Sequence, residues 1–122
     1  MKTGLAIILI VSLGACQTVP PVQAADYRAI GTEPFWDLSF APQLVFTDRG
    51  NGVVVAEPLP RPIGGKAGTT YRGRRIIVTI TPGPCSDGMS DRVYPDSVLV
   101  QVDGQPYRGC GAETAFFRRT AP

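Results

Sequence analysis

SVLVQVDGQPYRGC, residues 97–110, decides the fold. Val98, Val100 and Val102 fall on one side of an extended chain, and Leu99 and Gln101 fall on the other. Asp103-Gly104 separates this run from residues 105–110. A two-residue Asp-Gly link suits a type I′ turn, whose central residues both take positive φ, so the stretch predicts a β-hairpin.

Working outward, residues 75–81 (RIIVTIT) put Ile76, Val78 and Ile80 on one face and Ile77 and Thr79 on the other. That is a buried strand, which Pro82-Gly83-Pro84 is expected to end, with residues 69–72 as its neighbour. Residues 43–47 (QLVFT) and 53–55 (VVV) flank Asp48-Arg49-Gly50-Asn51-Gly52, whose residue types tolerate positive φ, so a second hairpin is expected there. Residues 27–40 (YRAIGTEPFWDLSF) hold two short extended runs on either side of Gly31-Thr32-Glu33-Pro34. Pro34 lacks an N–H and belongs at a strand start or an edge. Residues 57–68 (EPLPRPIGGKAG) are rich in proline and glycine and read as an exposed loop. Residues 112–120 (AETAFFRRT) read as a last strand. The expected fold is all-β: a small antiparallel β-barrel or sandwich of about 7–8 short strands, because closure removes exposed edges.

Composition agrees. The 122 residues allow one small domain; 18% charged and 43% hydrophobic residues exclude a disordered chain, and 14 glycines with 12 prolines fit many short elements joined by turns. The net charge of +2 is too small for nucleic-acid binding, and the absence of histidine removes the commonest general base and metal ligand.

The N-terminus is a different kind of segment. Met1-Lys2 is a minimal basic start, and residues 5–13 (LAIILIVSL) form an apolar run too short to cross a bilayer, which takes ~20 residues. Leu13-Gly14-Ala15-Cys16 follows directly and resembles the lipobox of bacterial lipoproteins. The resemblance implies cleavage before Cys16, lipidation of Cys16 and acylation of the new amino terminus, with two or more acyl chains giving stable anchoring. Gln17 at the next position implies outer-membrane sorting in a Gram-negative host. The alternative is an ordinary secreted protein cut after Val22-Gln23-Ala24. The expected organisation is a signal peptide over residues 1–15, a lipidated N-terminus and tether over 16–25, and a periplasmic β-domain over 26–122.

With Cys16 assigned to lipid, Cys85 and Cys110 remain. An exported chain favours a disulfide between them, closing a loop of about 26 residues and contributing roughly 3–4 kcal/mol by the chain-entropy argument. A redox pair is the alternative, but there is no C-x-x-C and no His or Lys beside either sulfur.

Gly31-x-Glu33-Pro34-Phe35-Trp36, Cys85-Ser86-Asp87-Gly88-Met89-Ser90-Asp91, Tyr94-Pro95 and Gly109-Cys110-Gly111 together resemble a family of small proteobacterial envelope proteins and lipoproteins of unknown function. The resemblance implies an envelope location, the disulfide and a β-rich domain. It implies no mechanism. Ser90-x-x-x-Tyr94 is also similar to the Ser-Gly-x-x-Tyr loop of periplasmic lipoprotein inhibitors of c-type lysozyme, with Asp91 in place of the glycine.

Glu33, Asp37, Asp87, Asp91 and Asp96 are the carboxylates near these motifs. Two of them ~5–10 Å apart could hydrolyse a glycoside. The plainer reading gives them turns and ion pairs. Asp87-x-x-x-Asp91 lacks the oxygen spacing of a Ca²⁺ loop. The expectation is a non-enzymatic, outer-membrane lipoprotein facing the periplasm, with no cofactor and no metal. Its candidate binding face comprises Glu33, Phe35, Trp36, Asp87, Met89, Ser90, Asp91 and Tyr94, for an envelope protein or a cell-wall glycan. Lysozyme inhibition and carboxylate-based cell-wall hydrolysis are the alternatives.

Overall fold

A computed structural model describes residues 3, 4 and 26–119. Apart from residues 3 and 4, the expected signal peptide over residues 1–15 lies outside the described residues, as do the expected lipidation site Cys16 and the expected tether. The described residues form nine strands and one short helix: β1 (Tyr27–Thr32), β2 (Phe35–Ser39), β3 (Gln43–Asp48), β4 (Val53–Pro58), β5 (Pro62–Gly65), β6 (Gly68–Arg72), β7 (Ile76–Ser86), β8 (Val93–Val102), β9 (Gln105–Glu113) and α1 (Thr114–Arg119). All pair antiparallel in one curled sheet of order β4-β3-β2-β1-β9-β8-β7-β6-β5, a half-barrel. Two meanders, β1 to β4 and β5 to β9, are joined by the ladder between β1 and β9, where Tyr27 faces Glu113 and Ile30 faces Cys110.

The hairpin at 97–110 forms as its sequence dictates. Val102 pairs with Gln105, and Asp103 and Gly104 take φ of 50° and 83°. The residues that alternate inward fill one core. Val98, Val100 and Val102 of β8 meet Ile76 and Val78 of β7, Ala29 of β1, Leu38 of β2, Leu44 and Phe46 of β3, Val55 of β4 and Tyr71 of β6. One core that reaches from β4 to β6 means that the sheet curls around it.

A side chain links the edge strand β4 to β7, strands that are not neighbours in the sheet. Glu57, a buried carboxylate on β4, accepts the N–H of Arg75 at 2.7 Å and of Ile76 at 2.9 Å, at the start of β7. Within the same turn, the Gly73 N–H donates to the Ile76 carbonyl. Outside it, the Arg75 guanidinium pairs with Asp103.

Trp36 explains two of the motif glycines. It pairs across the β1–β2 ladder with Gly31, and a Cβ on Gly31 or Gly109 would collide with its indole ring. The ring therefore lies on bare backbone and is 2% exposed. Among the described residues its buried Nε1–H has no acceptor. That costs about 1–3 kcal/mol, less than the ~4–6 kcal/mol expected from burying 150–250 Å² of aromatic surface.

The face of β1 and β9 opposite the main core is also covered. Ile30, Cys110 and Ala112 pack there with Cys85, Tyr94, Phe116 and Phe117. The register between β7 and β8 breaks between Pro82 and Cys85, which carries the hairpin tip onto this face. There Cys85 joins Cys110 in the expected disulfide, with Cα atoms 5.7 Å apart.

Three local expectations change. Pro82-Gly83-Pro84 does not end β7, which continues to Ser86 because a bulge absorbs the irregular residues. The loop at 57–68 contains β5, an edge strand, where a proline such as Pro62 leaves no ladder bond unmade toward solvent. Residues 114–119 are helical rather than extended. Phe116 and Phe117 both reach Tyr94, with ring centroids 5.2 and 5.7 Å away. A helical turn sets adjacent side chains ~100° apart and allows this, whereas a strand would send them to opposite faces.

Candidate functional site

The two loops of the expected face come together. Thr32 Oγ1 donates to the Asp87 carbonyl at 2.9 Å, joining the β1–β2 turn to the β7–β8 tip across 55 residues of sequence. Asp87 organises the tip. Its Oδ1 accepts the N–H groups of Met89 (2.9 Å) and Ser90 (2.8 Å), and its Oδ2 accepts the hydroxyls of Ser90 (2.8 Å) and Tyr94 (3.1 Å). Burial pushes the Asp87 carboxyl up, but these four donors together outweigh it and hold its pKa at about 2. Asp87 is therefore ionised at neutral pH, with both oxygens engaged.

The eight residues of the face divide by exposure, with Asp87 half-buried. Trp36 and Tyr94 are 2% and 1% exposed, and serve the two cores. Glu33, Ser90 and Asp91 are exposed at the surface. Phe35 and Met89 are 54% and 69% exposed, too much for core residues of their size. What the joined loops present to solvent is thus two large apolar side chains with two carboxylates and a hydroxyl. Of the Ser90-x-x-x-Tyr94 pair, Ser90 is exposed and Tyr94 is buried. Its hydroxyl is turned onto Asp87.

The remaining carboxylates near the motifs separate. Asp37 pairs with Arg49 at 2.8 Å. Asp96 accepts the Tyr27 phenol at 2.8 Å, 69 residues away in sequence. Burial pushes that phenol far above its ordinary value, and the neighbouring carboxylate adds to the effect. Among the described residues, no group of three or more His, Cys, Asp or Glu side chains is placed to hold a metal ion, and no helix is long and apolar enough to cross a membrane.

Tyr27 and Asp96 belong to a different feature, a cavity of about 770 Å³. It lies where β1 begins and β9 ends, walled by β5, β6, the bulged part of the β7–β8 hairpin and α1. Tyr71, Ile80 and Phe116 give it apolar walls, and Asp26, Asp96, Glu113 and Arg119 give it charge. No motif announces this cavity. Its residues come from distant strands, and one wall is the helix that the sequence pattern presents as a strand. The only advance signal is Asp96, which follows Tyr94-Pro95.

Comparison with protein-family models, with curated proteins and with solved structures finds no match to this chain.

Proposed function

We propose that this protein is a membrane-anchored envelope lipoprotein whose β-domain binds a partner and carries out no chemistry. The observation that carries the reading is the pair of loops joined by the bond between Thr32 and Asp87, with Phe35 and Met89 held exposed beside Glu33 and Asp91. Large apolar side chains on a fixed surface, rimmed by polar groups, are the usual make-up of an interaction site. The disulfide supports an oxidising compartment, and Leu13-Gly14-Ala15-Cys16 behind an apolar run supports lipid anchoring. The outer membrane, facing the periplasm, is the proposed location, and an envelope protein or a cell-wall glycan is the proposed partner.

The test is cross-linking in intact cells. A photo-reactive group placed at Met89 captures a defined envelope partner or peptidoglycan, and capture falls at least tenfold in Phe35→Ala. Equal capture from a probe at Val54, which is 64% exposed on β4, would refute the assignment of the face.

A further inference from the structure

We propose that the cavity between β1, β6, the β7–β8 hairpin and α1 is a binding site for a small organic cation with an apolar body, such as an aralkyl ammonium. Its volume of about 770 Å³ falls in the range of small-ligand sites. The walls suit an apolar body: Tyr71, Ile80 and Phe116 line it, and aromatic faces also attract a cation.

The polar groups choose the sign. Three carboxylates, Asp26, Asp96 and Glu113, line the cavity against one guanidinium, Arg119. Pro62, Pro82 and Pro95 add lining residues without an N–H. The Tyr27 hydroxyl is already given to Asp96 Oδ2. The carboxylates outnumber the guanidinium three to one, which favours a ligand that brings positive charge.

Two of the carboxylates are placed to act together. Asp96 pairs with Gly111 across β8 and β9, and Glu113 lies two residues further along β9, opposite Tyr27. Positions 111 and 113 share a face, so Asp96 and Glu113 are diagonal neighbours, for which about 7–8 Å is usual. The bond from Tyr27 fixes the Asp96 carboxylate and leaves its other oxygen for an ammonium N–H. A bond of that kind is charge-assisted. The site is separate from the joined loops, so it stands or falls independently of the proposed partner.

Three probes of one shape and different charge decide the matter: benzylamine, benzyl alcohol and benzoate, titrated into the full chain in non-ionic detergent and followed by NMR of the tyrosine rings. Benzylamine is expected to saturate, to shift the Tyr27 and Tyr71 signals, and to bind about tenfold more tightly than benzyl alcohol, with benzoate weakest. Asp96→Asn should reduce that preference about tenfold and leave benzyl alcohol within twofold of its original affinity. If Asp96→Asn lowers the melting temperature, Glu113→Gln, at an exposed position, replaces it and must also reduce the preference. Equal binding of the three probes, no tyrosine shift at millimolar benzylamine, or an unchanged preference in the well-folded variant would overturn the proposal.

Discussion

Glu57→Ala should be among the most damaging substitutions of a charged residue in this domain. The carboxylate reaches from β4 to the start of β7 and accepts two backbone N–H groups, at 2.7 and 2.9 Å. Alanine leaves both donors without an acceptor. An orphaned donor costs about 1–3 kcal/mol when buried. The Ile76 bond is buried and the Arg75 bond only partly so, which puts the sum at about 2–4 kcal/mol. Small domains are stable by only about 5–15 kcal/mol in total. At roughly 4–8 °C per kcal/mol for a domain of this size, the melting temperature should fall on the order of 10–30 °C. Circular dichroism melts of the wild type, Glu57→Ala and the exposed control Glu33→Ala measure it. Hydrogen exchange at the Ile76 amide reports the site itself and should speed up in Glu57→Ala. A loss under about 0.5 kcal/mol, the usual size for surface positions, would show that this link does not hold β4 to β7.

Three further outcomes are expected. Folding lowers the Asp87 pKa to about 2 from an ordinary 3.8, so its stabilising contribution is whole above pH ~4 and fades as pH falls toward 2; the Met89 and Ser90 amide shifts should titrate near 2, and a midpoint near 4 would refute the bonding at the tip. Reducing the Cys85–Cys110 bridge, which closes a loop of sequence separation 25, should lower the urea-unfolding free energy by roughly 3–4 kcal/mol, and an unchanged midpoint would mean that the second core holds the tip without it. Gly109→Ala drives a Cβ into the Ile30 carbonyl and the Trp36 ring and should cost about 1–3 kcal/mol by overpacking, with a shift in Trp36 fluorescence; an unperturbed spectrum would mean that the ring has room to move.

The strands were legible where one physical rule governed them. Alternation at 76–80 and 98–102 places the inward residues correctly, and Asp103-Gly104 fixes its turn. The disulfide expected between Cys85 and Cys110 forms. Legibility fails where tertiary contacts override local pattern. The β7–β8 tip crosses a Pro-Gly-Pro segment because its other end is pinned to β9 and β1 by Cys110, Ile30 and Thr32. Residues 114–119 turn helical because Phe116 and Phe117 share one partner, Tyr94. The strand within 57–68 exists only through its pairing with β6.

The site follows the same logic. Motif spacing draws Glu33 and Asp87 into one region, and the bond from Thr32 to Asp87 joins their loops. Spacing gives no measure of burial, so the candidate face includes Trp36 and Tyr94 although Gly31 and Gly109 make room for one ring and α1 covers the other. The cavity residues Tyr27, Tyr71, Asp96 and Glu113 meet only through the sheet order, and no short-range pattern connects them.

Intact-mass and peptide mass spectrometry of the protein purified from host membranes tests the proposed lipoprotein most directly. The expected product is a chain that begins at Cys16 with diacylglycerol and an amide-linked acyl group, and that leaves the membrane fraction in Cys16→Ser. A soluble chain that begins at Ala25 and carries no lipid would contradict it.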